Sequence, residues 1–139
     1  MSGVKNFDPD KGLPSLTGKV IFITGGMHQN STHQEVPPTI LTILQGTAGL
    51  GSKSIQKLAK HNPAHIYFTG RNVNRAKDLI NEAKKITPTA QLTFIQCDFT
   101  SLFSMKTGLK QFTHTRLDVL MCNAGISNAP LLLPHQLHI

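Results

Sequence analysis

Four short apolar runs recur along the chain, separated by stretches with helical spacing. Lys19–Thr24 (KVIFIT), Ala64–Thr69 (AHIYFT), Gln91–Gln96 (QLTFIQ) and Asp118–Cys122 (DVLMC) are brief and rich in β-branched and aromatic residues. Runs of this kind predict buried strands. Gly51, Ile55, Leu58 and Ala59 repeat at three-to-four spacing until Asn62-Pro63 ends the pattern. Ala76, Leu79, Ile80, Ala83 and Ile86 do the same up to Thr87-Pro88. Leu102, Met105, Leu109 and Phe112 form a third stripe, with Asp98, Thr100 and Ser101 as candidate N-caps. Strands alternating with helices predict an α/β fold with a parallel sheet. Right-handed crossovers give these four strands the order 3-2-1-4, as in the first half of a dinucleotide-binding fold. That order separates Cys97 and Cys122 by three strand spacings, roughly 14 Å, too far for a disulfide. Both thiols are read as small core residues.

One stretch breaks the pattern. Between the first strand and the first helix lies Met27–Gly46, MHQNSTHQEVPPTILTILQG, with a single charged residue, Glu35. Its first half has polar loop composition. Its second half, Thr39–Gln45, has strand composition and competes with Lys19–Thr24 for the first-strand position. On its left stands Thr24-Gly25-Gly26, and on its right Thr47-Ala48-Gly49-Leu50-Gly51. Joined directly, the two ends read T-G-x-x-x-G-x-G between a strand and a helix. A nucleotide pyrophosphate needs close backbone approach, which glycines allow, and a helix N-terminus aimed at it. Codons for Gly26-Met27 and Gln45-Gly46 are compatible with splice junctions, so a retained intron competes with a real insertion.

With that loop, the chain resembles the short-chain dehydrogenase/reductase family, in particular its light-induced alcohol dehydrogenase-like branch. Three more features fit in register: Thr69-Gly70-Arg71-Asn72 after the second strand, Asp98-Phe99 after the third, and Cys122-Asn123-Ala124-Gly125 after the fourth. The family usually has N-N-A-G at the last of these. The resemblance covers Leu16 to about Ile126, apart from the interruption. It implies a Rossmann-type sheet of about four strands with flanking helices, truncated relative to the family. In it, Thr24, Gly25, Gly26, Gly49, Leu50 and Gly51 would shape the pyrophosphate loop. Asp98 would take the adenine amino group with Phe99 beside it, and Asn123, Ala124 and Gly125 would support the ribose and the sheet. Arg71, with Asn72, bears on cofactor choice. No acid stands where one would bind the 2′-hydroxyl of NAD, and a guanidinium pairs well with a 2′-phosphate. NADP is therefore expected over NAD, with binding impaired by the insertion.

The resemblance implies hydride transfer between NADP(H) and a carbonyl or alcohol, by a Tyr and a Lys four residues on, with a Ser from the next strand. The single tyrosine, Tyr67, lies in an apolar run, with Arg71 four residues on. No catalytic residue is assigned, and the chain alone is expected to transfer no hydride. The organisation read here is an arm over 1–18, a partial NAD(P)-binding domain over 19–126 with the insertion 27–46, and an atypical tail over 127–139. A truncated or mis-spliced fragment without enzymatic function is the competing reading. Homo-oligomers occur in the family; the sequence is silent on them here.

Composition narrows the partners. The 139 residues suffice for one domain. The net charge of +7 raises a nucleic-acid reading. However, Lys53, Lys57, Lys60, Lys77, Lys84, Lys85, Lys106 and Lys110 spread over three polar helix faces without interleaved aromatics, so no nucleic acid is expected. No run reaches the roughly 18 apolar residues of a membrane span, and MSGVKNFDPDKGLPSL is not a signal peptide. With two cysteines and no disulfide framework, a cytoplasmic protein is expected. His28 and His33 match no metal-ligand spacing, and no metal is expected. His61, His65, His114, His135 and His138 are read as surface or strand-end residues.

Overall fold

A computed structural model describes residues 8–25 and 50–124. The elements are α1 (Pro9–Gly12), β1 (Val20–Thr24), α2 (Leu50–Ala59), β2 (His65–Gly70), α3 (Val73–Ile86), β3 (Leu92–Gln96), α4 (Leu102–Leu109) and β4 (Val119–Cys122). The strands form one parallel sheet in the order β3-β2-β1-β4, as right-handed crossovers require. Val20–Thr24 holds the central position between β2 and β4. The competing segment Thr39–Gln45 lies outside the described residues.

Strand periodicity sorts the core into two layers. Ile21, Ile23, Ile66 and Phe68 point to one face, where Ile55 and Ala59 of α2 and Ala76 and Leu79 of α3 cover them. Val20, Phe22, Tyr67 and Ile95 point to the other, with Phe112 packed against them. On this second face α4 meets β3 through Gly108, where a Cβ would lie 3.1 Å from Ile95 Cγ2. That corrects the expected stripe on the third helix. Leu102 and Leu109 are exposed, and Phe112 has left the helix to pack against Phe22 and Tyr67 at 5.9 and 4.8 Å between ring centroids. Leu109 lines an open cavity on this face of the sheet. Cys122 is corrected for the same reason. It lies two residues beyond Leu120 on the open second face of the edge strand, and both are exposed, whereas Cys97 is buried as expected.

The arm contributes more than its sequence suggested. Asp8 caps α1 by accepting from Asp10 N at 3.0 Å. Asp10 then meets Lys57 and Lys60 of α2 at 2.8 and 3.2 Å, and Thr17 bridges to Pro63.

A second carboxylate fixes the opposite edge of the sheet. Asp118 accepts from Arg116 Nε at 2.8 Å, from Val20 N at 2.9 Å and from Lys19 Nζ at 3.5 Å. The Arg116 guanidinium, helped by Val20 N–H, holds its carboxyl down at about 2. A depressed carboxylate stabilises the fold fully above its ordinary value of 3.8, and that contribution disappears as pH falls through about 2. Asp118→Asn is expected to lower the thermal midpoint at neutral pH and to flatten the acid-induced loss between those values. Melts followed by circular dichroism across that window would check it; parallel pH profiles for both proteins would contradict it.

Candidate functional site

The C-terminal ends of all four strands come together at one edge, the position at which open parallel sheets bind ligands. Thr24, the last residue of β1, has a hydroxyl with every bonding position used. It donates to Met121 O at 3.4 Å and accepts from Asn123 N and Ala124 N at 3.1 and 3.2 Å. Asn123 returns a bond from Nδ2 to Gly25 O at 2.7 Å. Gly25 itself has φ +63, and a Cβ there would lie 2.6 Å from Ala124 Cα. Only glycine satisfies both the left-handed backbone and the contact. Its N–H donates to the buried hydroxyl of Thr69 at 3.0 Å, which ties the end of β1 to the end of β2. Thr69 was quoted in the sequence motif but given no role. Its depth, which local pattern does not reveal, is what makes it an anchor.

Arg71 follows β2 and is exposed. With Gln96, Cys97, Asp98 and Ser104 it lines a polar cleft of about 310 Å³. Gln96 Nε2 donates to Arg71 O at 3.3 Å, and Ser104 Oγ accepts from Asp98 N at 2.9 Å. The Asp98 carboxylate accepts from Thr100 N and Thr100 Oγ1 at 2.9 and 2.7 Å. These bonds hold its carboxyl below the ordinary range, with Arg71 adding a smaller pull. Ser101, not Asp98 or Thr100, caps α4, accepting from Ser104 N at 3.2 Å. Burial pushes the Cys97 thiol up. Asn72 caps α3 by accepting from Arg75 N at 3.1 Å.

Beside this cleft, on the second face, lies an apolar cavity of about 330 Å³ reaching from Thr24 and Phe99 to Leu117 and Leu120. Leu50 opens α2 exposed, and Gly51 is buried in its first turn. The structure thus brings Thr24, Gly25, Asn123 and Ala124 into one bonded group, with Arg71, Asn72, Asp98 and Phe99 along the same edge. Gly26, Gly49 and Gly125 lie outside the described residues. The described groups fit a dinucleotide. Gly25 lets the end of β4 close against the end of β1 at the strand crossover, and an exposed cation and a carboxylate lie along the same edge. Tyr67 is buried, its hydroxyl bonded to Thr113 Oγ1 and His114 Nδ1 at 3.0 and 2.8 Å, and cannot serve as an exposed general acid.

Comparison with known proteins points to a family. The family model described as short chain dehydrogenase matches residues 39–136. That span starts at Thr39, inside the inserted stretch, although the structure fills the first-strand position with Val20–Thr24. The short-chain dehydrogenase/reductase drtF of Aspergillus calidoustus is 33% identical over 87% of this chain and 32% of its own length. The human polyprenol dehydrogenase is 28% identical over 68% of this chain and 29% of its own. The chloroplastic short-chain dehydrogenase TIC 32 A of Brassica napus is 29% identical over 84% of this chain and 37% of its own. The chain thus spans about a third of the length of the curated relatives it matches. Because the family model covers well over half of the chain and the strand order fits it, this chain belongs to the short-chain dehydrogenase family.

Proposed function

We propose that this chain is the nucleotide-binding part of an NADP-dependent oxidoreductase acting between NADP(H) and a carbonyl or alcohol. The observation that carries the cofactor choice is Arg71, exposed at the end of β2 where an acid would be needed for NAD. When bound, the nicotinamide supplies or accepts the hydride. The chain's own residues bind and orient. Gly25 lets the ends of β1 and β4 meet closely, Arg71 meets a 2′-phosphate, Asp98 meets the adenine edge, and Thr24 and Asn123 keep the two central strand ends in place.

The same sequence has no Tyr-x-x-x-Lys, and its single tyrosine is committed to internal bonds. We therefore read this polypeptide as transferring no hydride by itself, which keeps the non-enzymatic fragment as the second reading. Two free thiols support a cytoplasmic setting. No helix among the described residues is long and apolar enough to cross a membrane. The exposed leucines of the second face support association with a second copy or with further polypeptide.

The test is titration of the chain with NADPH and NADH, repeated with Arg71→Ala. A charge-assisted bond contributes about 1.5–3 kcal/mol. Arg71→Ala is expected to weaken NADPH about ten- to hundredfold and to leave NADH unchanged. Equal affinities for the two nucleotides in the unaltered chain would overturn the cofactor assignment. Turnover of aldehydes or ketones by the unaltered chain would overturn the claim of inactivity.

A further inference from the structure

Two histidines that the sequence places at the surface or at strand ends come together in one cluster at the other end of the sheet. His65 opens β2, half-buried, with its ring stacked on Tyr67 at 4.3 Å and Nε2 on Thr93 Oγ1 at 2.8 Å. His114 sits in the 110–118 connection between α4 and β4. Its Nδ1 meets the Tyr67 hydroxyl at 2.8 Å, and its ring centroid lies 5.1 Å from that of His65. Thr113 holds the same hydroxyl at 3.0 Å. Tyr67 is therefore the peg on which the connection hangs. Phe112, the residue before the pair, packs on both Tyr67 and Phe22.

The charges around the pair are lopsided. From β1, Lys19 reaches the cluster through its carbonyl, which accepts from His65 N at 3.4 Å, and Val20 and Phe22 bring no charge. From β3, Thr93 brings a hydroxyl. The connection carries Lys110, His114, Arg116 and Asp118. Asp118 is the only carboxylate in that connection, and Arg116 and Lys19 already share it. Two imidazolium rings 5 Å apart would repel with no spare anion between them.

We propose that His65, Tyr67 and His114 form a pH-sensitive clasp that pins the 110–118 connection to the sheet while the His65 imidazole is neutral and releases it when His65 takes a proton beside His114. Burial, and then His114, push the His65 pKa below its ordinary 6.5. The sign follows. The unfolded or released chain takes the proton more readily, so the clasp is fully closed above about 6.5 and weakens as pH falls below it. The connection leads directly into β4, whose end carries Asn123 and Ala124 against Gly25. Acid therefore loosens the cofactor edge from the far end of the sheet.

Hydrogen exchange on the whole chain, corrected for intrinsic rates, tests this without any cofactor. Amides of residues 112–118 are expected to lose protection severalfold as pH falls from about 7.5 to about 5.5. The loss should be absent in His65→Gln and in His114→Gln, either of which suffices if the other fails to fold. In imidazole titrations followed by NMR, His65 is expected below 6.5 and should rise toward it in His114→Gln. Protection independent of pH in the unaltered chain, or the same loss in the variants, would overturn the proposal.

Discussion

Gly25→Ala is expected to be the most damaging single change at the cofactor edge. A left-handed backbone costs a residue with a Cβ roughly 1–2 kcal/mol. Here the added Cβ would also stand 2.6 Å from Ala124 Cα, a backbone atom that cannot rotate away. Relief requires the end of β4 to move. That would break the bonds from Asn123 to Gly25 O and from Asn123 N and Ala124 N to the Thr24 hydroxyl. We expect a loss of about 2–3 kcal/mol, or about 7–10 °C in thermal midpoint for a chain of this size. Gly18→Ala is the control. Gly18 has φ +75 but nothing within 4 Å of an added Cβ, so it carries the backbone cost without the collision. The difference between the two melting points isolates the contact. Equal midpoints would mean that the ends of β1 and β4 do not meet as described.

Deleting Met27–Gly46 is expected to raise affinity for NADPH at least tenfold. The connection from Gly25 to Leu50 would shorten from twenty-four residues to four. The entropy of closing such a connection scales as (3/2)RT ln n, so the deletion removes about 1.5 kcal/mol of ordering cost. A second effect acts in the same direction. The shortened loop reads T-G-G-T-A-G-L-G, which places the glycine turn and the first turn of α2 at the spacing a pyrophosphate cradle requires. Binding sites of this kind tolerate errors of about half an ångström, so restored spacing should add to the entropic gain. Calorimetric titration of both chains with NADPH decides it. Unchanged affinity would mean that the inserted stretch leaves the cradle intact, and that the sequence reading of an impaired loop is wrong.

Much of the frame was legible because its causes are local. Apolar runs and their spacing located all four strands to within a residue or so, and three helices with them. The handedness of crossovers then fixed the order 3-2-1-4. Tyr67 could be set aside as a catalytic residue from its apolar neighbours alone, and its buried hydroxyl agrees. Misreadings arose where a partner lies far along the chain or where burial depends on what covers a face. Leu109 has the spacing of a core residue, yet it is exposed because α4 approaches β3 through Gly108. Cys122 sits in an apolar strand, yet that strand is an edge with one open face. His65 and His114 are forty-nine positions apart and carry no shared local signal.

The sequence by itself determined the fold class, the strand order and the family, because hydrophobic period and glycine spacing act over a few residues. It also marked Gly25, Arg71, Asp98 and Asn123 as belonging to one edge. Only the tertiary structure decided what each of them does there. Thr24 saturates its hydroxyl on β4, Thr69 anchors Gly25 from within the core, and Asn72 spends its side chain capping α3. The cap at Asn72 is local, but the roles of Thr24 and Thr69 depend on bonds between residues up to a hundred positions apart, and no local pattern encodes such distances until the sheet has closed.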